Sequence, residues 1–379
     1  MSELRTSFLN GHAPDMCRDC YTMEQHGKTS GRQRQLLKVG IQEQYFEKSL
    51  ASSTLKASFD HSNTNQGHTA RTVSDWQIDL GNYCNGACIF CNPGSSSRIA
   101  TEFKKLGLID QLPPASWCDD PVQVDQFVQV LTSSTNLQYL HFIGGETVIT
   151  PGFKTILTAL VDAGLAKDVT IGFTTNLTVW SDDVVELLKQ FQQINLGMSV
   201  ETLTPVNDYV RYPSRCEQTQ QILDRWVSLG QQQNWLMQLR ITPTCLTVHE
   251  LTTVYDYAWH NHLAVESCNF FNEPKFLRIG VLPTDYRTTV IKILEQWVDD
   301  HQHQVKETQQ IINTRDPNVA QDQIVQDACS YLNYLKSVED ESNRLPDLVA
   351  YLKRLESTRG NSILNYLPQY ENLFRSAGY

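Results

Sequence analysis

The chain has 379 residues, of which 40% are hydrophobic and 19% are charged, proportions that are typical of an ordinary globular protein. Its formal charge is −11, from 31 Lys and Arg against 42 Asp and Glu. Non-specific nucleic-acid binding needs many phosphate-neutralising cations, so a nucleic-acid partner is disfavoured. No stretch approaches the roughly 20 apolar residues of a membrane span, and the N-terminus lacks the apolar core of a secretion signal. We therefore expect a cytoplasmic protein with no membrane partner.

The composition along the chain divides it into four predicted segments. Residues 1–47 carry a Cys-x2-Cys pair, and residues 48–75, rich in Ser, Thr, Asn, Gly and His, are predicted to form a linker or loop. Residues 76–271 form the main body. Residues 272–379 begin with an extended segment and continue as a mostly helical extension, either a cap on the main body or a separate layer.

Six predicted strands alternate with helices in the main body. The strands are predicted at Trp76–Leu80, Leu137–Ile143, Val169–Thr174, Ile194–Val200, Leu236–Thr242 and Val265–Phe270. The helices are predicted at Ser95–Leu106, Val122–Leu131, Phe153–Val161, Val184–Phe191, Gln218–Leu229 and Val248–Trp259. Such alternation predicts an α/β fold with a parallel sheet, which would curl into a partial (β/α)6 barrel. Functional sites in parallel α/β folds lie at the carboxyl ends of the strands.

Three of the ten cysteines, Cys84, Cys88 and Cys91, follow the first predicted strand directly. In a reducing compartment, clustered cysteines indicate a metal site rather than disulfides. Three thiolates within eight residues can hold three corners of a [4Fe–4S] cluster and leave the fourth iron open for a substrate group. The alternatives are a zinc site with a remote fourth ligand, or chance clustering.

A second motif, Gly144-Gly145-Glu146, follows the second predicted strand. Two glycines at a strand end lack β-carbons, so we expect a ligand to approach the backbone there. The Glu146 carboxylate can accept a hydrogen bond from an ammonium group. The alternative for a Gly-Gly pair is an ordinary turn.

The Cys-x3-Cys-x2-Cys spacing after the first strand, followed one βα unit later by Gly-Gly-Glu, resembles the radical S-adenosylmethionine (SAM) superfamily. The resemblance implies a radical SAM barrel in which the open iron chelates the amino and carboxylate groups of SAM. It also implies that electron transfer from the cluster cleaves SAM, and that the resulting 5′-deoxyadenosyl radical removes hydrogen from a substrate. The Gly-Gly-Glu triplet resembles the element that contacts the SAM amine. A reductant such as flavodoxin or ferredoxin is implied as a partner.

Further residues resemble the superfamily more loosely. Thr174 and Asn176 lie at the end of the third strand, Ser199 and Glu201 at the end of the fourth, and Arg211 comes next. The resemblance assigns them to SAM binding, with the acidic side chain near the ribose diol and the guanidinium against the SAM carboxylate. The alternative is that Thr174, Asn176 and Ser199 cap helices and that Arg211 lies on the surface.

The N-terminal pair, Cys17 and Cys20, resembles the N-terminal segment of twitch-domain radical SAM proteins. The likeness continues at residues 211–214, 272–283 and 355–360, with the sequences RYPS, NEPKFLRIGVLP and LESTRG. In twitch and SPASM relatives an auxiliary iron–sulfur cluster lies beside the barrel. A cubane needs about four ligands and only two cysteines are paired here, so Cys268 and Cys118 are the candidates for further ligands. A structural zinc and a free pair are the alternatives.

The function that these resemblances imply is that of a radical SAM enzyme. The sequence identifies no catalytic residue. The twitch and SPASM likeness favours a peptide or protein substrate, and a small sugar or metabolite is the alternative. A peptide would need an open cleft beside the barrel mouth, whereas a small polar substrate would need a closed pocket with convergent polar groups. A hypothesis from another class is a zinc-stabilised binding module without catalysis.

Overall fold

A computed structural model of the chain describes residues 6–7, 10–12, 14, 60–68, 73–267, 270–302 and 317–379. The chain divides into two compact units, residues 1–74 with 134–136 and residues 75–133 with 137–379. In the first unit, residues 60–64 are helical, and the Thr6 hydroxyl donates to the Gln66 carbonyl at 2.8 Å. Cys17 and Cys20 lie outside the described residues, so the N-terminal metal segment stays a prediction.

The second unit is built on a six-stranded parallel sheet. The strands are β1 (Asp75–Asp79), β2 (Tyr139–Ile143), β3 (Thr170–Thr175), β4 (Gln193–Ser199), β5 (Leu236–Ile241) and β6 (Ala264–Ser267). Each strand pairs in parallel with the next strand in the chain, so the spatial order is the sequence order. The predicted parallel α/β sheet is therefore confirmed, while its curvature into a barrel stays a prediction.

Helices connect every pair of neighbouring strands. They are α1 (Ser97–Lys105), α2 (Pro121–Thr132), α3 (Pro151–Asp162), α4 (Asp182–Leu188), α5 (Val206–Val210), α6 (Cys216–Gln232) and α7 (Leu251–Asn261). All six helices predicted for this region are present, and α5 is an additional short helix. Several begin at side-chain caps that the sequence supplies, such as Ser96 before α1 and Ser181 before α4.

The two faces of the sheet differ in chemistry because side chains alternate along each strand. One face is apolar and packs on the helices. There Phe153 of α3 contacts Phe142 and Phe173 with ring centroids 4.9 and 5.5 Å apart, and Trp226 of α6 contacts Phe173. The other face is polar and carries His141, Thr174, Asn195, Gln238 and Arg240.

The C-terminal extension is helical, as predicted. It contains α8 (Thr284–Gln302), α9 (Pro317–Ser337), α10 (Leu345–Arg359) and α11 (Glu371–Ser376). Helix α9 packs against α8 and β6, so it covers one edge of the sheet, which would otherwise be open to pairing. Within the described residues, no helix combines the length and apolar composition that a membrane crossing requires.

The Phe153→Ala substitution tests the apolar face. The Phe153 side chain is fully buried between β2 and β3, so truncation should lower the free energy of unfolding by about 3–5 kcal/mol. The control is Val130→Ala on α2, where the valine is 50% exposed and the loss should stay below about 0.5 kcal/mol. Urea denaturation followed by circular dichroism measures both, and equal losses would contradict the proposed core.

Candidate active site

The loop between β1 and α1, residues 80–96, carries Cys84, Cys88 and Cys91 and lies at the carboxyl edge of the sheet. We call it the cysteine loop. Its backbone amides at Ala87 and Ile89 donate to the carbonyls of Tyr212 and Val210, at 2.6 and 2.9 Å. Ser96, the N-cap of α1, donates through its hydroxyl to the Gly86 carbonyl at 2.6 Å. The same residue therefore starts the helix and closes the loop.

The three thiols are free and partly exposed. A β-carbon at Gly86 would lie 3.7 Å from the Sγ atoms of both Cys84 and Cys88, so glycine keeps the space between the two sulfurs open. The Gly86 amide also donates to the Cys84 sulfur at 3.3 Å. Burial raises the pKa of the Cys84 thiol to about 11 and that of Cys91 to about 12, and it raises the Cys88 pKa as well. Metal-free thiols here are protonated at neutral pH, so a metal must displace their protons.

Gly144 and Gly145 make the contact between the end of β2 and the cysteine loop. Their φ angles are +95° and +37°, in the region that favours glycine. A β-carbon at Gly145 would lie 2.1 Å from the Tyr83 carbonyl oxygen, and one at Gly144 would lie 2.5 Å from the Gly81 carbonyl oxygen. The two glycines thus let the end of β2 pack directly against the loop backbone, and the expected approach of a ligand to them stays a prediction.

The Glu146 carboxylate ties the end of β2 to the end of β3. It is buried and accepts hydrogen bonds from the Thr175 hydroxyl at 2.8 Å, the Asn176 amide at 2.6 Å and the Val148 amide at 3.3 Å. Burial raises its pKa to about 7, although these donors oppose the shift. A carboxylate has about four acceptor positions, so roughly one remains for an ammonium group.

Asn176 connects β3 to the cysteine loop through its side-chain amide. The amide nitrogen donates to Asn85 Oδ1 at 2.9 Å and lies 3.9 Å from the Cys84 sulfur. Its oxygen accepts from the Thr178 backbone amide at 3.1 Å. Asn85 in turn donates to the Thr178 hydroxyl at 2.8 Å, which closes a polar ring beside the first cysteine.

Glu201 and Arg211 form a buried ion pair. The Nη2 and Nε atoms of Arg211 donate to Glu201 Oε1 at 2.6 and 3.1 Å, and Glu201 Oε2 accepts from the Thr242 amide at 2.6 Å. Only 10% of the Arg211 side chain is exposed, so the alternative of a surface position is wrong. Its guanidinium lies 5.4 Å from the ring centroid of Phe90 in the cysteine loop.

Thr174 and Ser199 lie on strands rather than at helix caps. Thr174 is within β3, where its hydroxyl accepts from Arg240 at 3.2 Å, and Ser199 is the last residue of β4. The cap of α4 is Ser181. The helix-capping alternative is therefore wrong for both residues, and also for Asn176, whose oxygen closes a turn at Thr178.

The polar face of the sheet holds a small recess of about 70 Å³ that the sequence prediction did not include. Arg240 pairs with Glu266 at 2.7 Å, and Gln238 donates to the same carboxylate oxygen at 2.7 Å. Gly197 leaves room for the Arg240 side chain, because a β-carbon there would lie 2.8 Å from Arg240 Cδ. Polar residues two positions apart, such as Tyr139 and His141 in β2 and Gln238 and Arg240 in β5, were the signal in the sequence from which this recess could have been predicted.

An open groove of about 590 Å³ runs along the outer edge of β1. Aromatic and proline side chains line most of it, namely Trp76, Pro113, Pro114, Trp117 and Phe127. Asn82 and Gly94 of the cysteine loop line it as well, so the groove adjoins the loop that carries the thiols.

The family comparison matches the part of the chain that runs from the end of β1, through the cysteine loop, into β5. Residues 78–239 match the family model described as the radical SAM superfamily. The chain contains a radical SAM domain. The members of this superfamily are enzymes, and the family implies a [4Fe–4S] cluster and SAM. No match was found among curated proteins.

Several solved structures resemble the chain at low identity. Streptococcus suis SuiB bound to S-adenosylmethionine is 13% identical, with a TM-score of 0.42, over 79% of this chain and 63% of that one. Native anSMEcpe with bound AdoMet is 17% identical, with a TM-score of 0.41, over 60% and 61%. SuiB bound to precursor peptide SuiA is 11% identical, with a TM-score of 0.42, over 76% and 60%. The chain thus spans about three fifths of these proteins.

The donor set of the radical SAM domain fits an iron–sulfur cluster with one open iron. Three thiols lie on one loop, the loop is anchored on several sides, and a glycine keeps the space between two sulfurs clear. Among the described residues, no three His, Cys, Asp or Glu side chains converge as ligands of a single ion would. Cubane ligands bind three different irons, so they need not converge in that way.

The other cysteines named as candidate ligands have different positions. Cys118 is buried in the turn Trp117–Asp119, and a β-carbon at Gly152 would lie 2.0 Å from its sulfur. Its sulfur thus packs closely against the start of α3, as a small core residue does. Cys268 lies outside the described residues, as do Cys17 and Cys20, so the ligands of a second metal site stay a prediction.

A Gly145→Ala substitution tests the contact between β2 and the cysteine loop. It should destabilise the protein by about 2 kcal/mol more than Gly164→Ala, because only the first forces a β-carbon onto the backbone. Gly164 is a matched control: its φ is +71°, but a β-carbon there would meet no atom within 4 Å. Both are measured by urea denaturation, and an equal loss in the two variants would contradict the contact.

A Glu201→Gln substitution tests the buried ion pair. It leaves the Arg211 charge buried without its partner, so the free energy of unfolding should fall by about 3 kcal/mol. The control, Glu186→Gln, breaks a pair with Lys189 of the same 2.6 Å length, but Glu186 is 69% exposed and the loss should be below about 1 kcal/mol. If both variants lose the same stability, the Glu201 pair is not buried as described.

Proposed function

We propose that the chain is a radical SAM enzyme that acts on a peptide or protein substrate. The observation that carries the proposal is the set of three thiols on one anchored loop at the carboxyl edge of the parallel sheet. When bound, the cluster and SAM supply the 5′-deoxyadenosyl radical that abstracts hydrogen from a substrate. Cys84, Cys88 and Cys91 would each hold one iron and leave the fourth open.

The residues around the loop would bind SAM and keep the site in shape. Arg211 would bind the SAM carboxylate, because its guanidinium is buried and lies 5.4 Å from the ring centroid of Phe90 in the loop. Glu201 holds that guanidinium, and Glu146 holds the ends of β2 and β3 together while keeping about one acceptor position. These side chains are buried, so they would exclude water from the cofactor.

The open, mostly apolar groove beside β1 favours a peptide over a small metabolite. The recess on the polar face, of about 70 Å³, is smaller than the 300 Å³ or so at which small-molecule pockets begin. The groove beside β1 is open, has a volume of about 590 Å³, and is lined by aromatic and proline side chains next to the cysteine loop. Such a groove suits an extended chain segment with apolar side chains.

Single Cys→Ser substitutions at positions 84, 88 and 91 test the proposal. Each should abolish the iron–sulfur absorption of this cluster after anaerobic reconstitution and lower 5′-deoxyadenosine formation with dithionite and SAM by more than about 100-fold. Cys216→Ser is the matched control, because Cys216 is also a free and partly exposed thiol but begins α6.

Metal content and 5′-deoxyadenosine formation of the wild-type protein show which outcomes would contradict the proposal. Bound zinc with no 5′-deoxyadenosine would favour the zinc-stabilised binding module over the enzyme. About four irons per chain indicate one cluster, and about eight would support a second cluster at Cys17 and Cys20. If peptides leave 5′-deoxyadenosine formation unchanged while small sugars stimulate it, the substrate part of the proposal is wrong.

A further inference from the structure

Helix α10 of the C-terminal extension contacts the cysteine loop at two backbone carbonyls. The Tyr351 hydroxyl donates to the Ile89 carbonyl at 2.7 Å. The Arg359 Nη2 atom donates to the Ala87 carbonyl at 2.8 Å. These two carbonyls belong to the residues on either side of Cys88, so α10 contacts the loop at its central cysteine.

The same two residues are also held through their amides, by the segment at residues 210–212. Ala87 donates to the Tyr212 carbonyl and Ile89 to the Val210 carbonyl, at 2.6 and 2.9 Å. The amide and the carbonyl of each residue that flanks Cys88 are therefore both paired. Backbone groups that are buried and paired on both sides leave little freedom for the peptide between them.

Arg359 is itself fixed by a buried carboxylate. Its side chain is 1% exposed, and its Nε and Nη2 atoms donate to Glu102 of α1 at 2.9 and 2.6 Å. Its guanidinium lies 4.8 Å from the centroid of the Tyr212 ring. Glu102 also accepts from the Thr358 hydroxyl at 2.7 Å. A bidentate pair of this kind sets the direction of the guanidinium as well as its position.

We propose that Tyr351 and Arg359 form a C-terminal clamp, a pair of positioning residues that hold the Cys88 segment in the conformation that binds iron. The clamp rests on the proposed function. It gives the C-terminal extension a role in the cluster site, although the extension lies outside the residues that match the radical SAM family. The extension thereby makes the cluster site depend on a helix that lies outside residues 78–239.

The first experiment uses the full chain without a cluster. Hydrogen exchange is measured on peptides that cover residues 84–91 in the Tyr351→Phe and Arg359→Lys variants. Tyr351→Phe removes one hydrogen bond to the loop, and Arg359→Lys removes the guanidinium that donates to the Ala87 carbonyl and to Glu102, so each should raise the exchange of the Ala87 and Ile89 amides by about fivefold. The controls are Tyr257→Phe, which removes a hydroxyl that donates to Asp224 at 2.6 Å, and Arg225→Lys, which removes a guanidinium above Trp180. Neither control should change exchange in the loop.

The second experiment follows the reconstituted cluster. An iron chelator should remove iron from the clamp variants several times faster than from the wild-type and control proteins, even where the initial iron content is equal. Equal exchange in residues 84–91 and equal rates of iron loss would overturn the clamp. If Arg359→Lys fails to fold, Tyr351→Phe decides alone, because it removes one hydroxyl and keeps the ring. If the wild-type chain takes up no cluster, the proposed function fails, and the exchange experiment still tests the clamp.

Discussion

The site depends on one constraint: the chain must leave β1 through a loop that presents three thiols while its backbone groups stay paired. Buried peptide groups without partners are costly, so a loop with partly buried cysteines needs partners from elsewhere in the fold. The segment at residues 210–212, the cap of α1 and helix α10 supply them. Gly144 and Gly145 complete the set by allowing the end of β2 to lie directly against the loop.

The buried ion pairs around the loop contribute more to the orientation of their side chains than to the free energy of unfolding. Glu201 with Arg211 and Glu102 with Arg359 are charge pairs taken out of water, and the desolvation cost of such pairs offsets much of their attraction. Each pair nevertheless fixes a planar guanidinium in one orientation, with Phe90 or Ala87 of the loop as its neighbour. A cofactor that must be held at a defined position benefits from such rigidity.

The strands and the metal-binding loop could be predicted because their signals are local. Apolar alternation and strand-end glycines identify β1 to β6 and the region of Cys84, and the spacing of the thiols is in the sequence itself. The partners of Glu146 and Arg211 could not be predicted, because a carboxylate motif does not reveal whether a ligand or the protein satisfies it. The contact of Arg359 with Ala87 spans 272 residues, and no local pattern encodes it.

The groove beside β1 would place a bound peptide next to the cofactor site, because Asn82 and Gly94 line the groove and also belong to the cysteine loop.

The central claim is that this loop holds a cluster with one iron open to SAM. Electron paramagnetic resonance of the anaerobically reconstituted, dithionite-reduced protein tests it most directly. We expect the signal of a reduced [4Fe–4S] cluster whose g values change when SAM is added. A reduced cluster whose signal SAM leaves unchanged, or a protein without such a signal, would contradict the account.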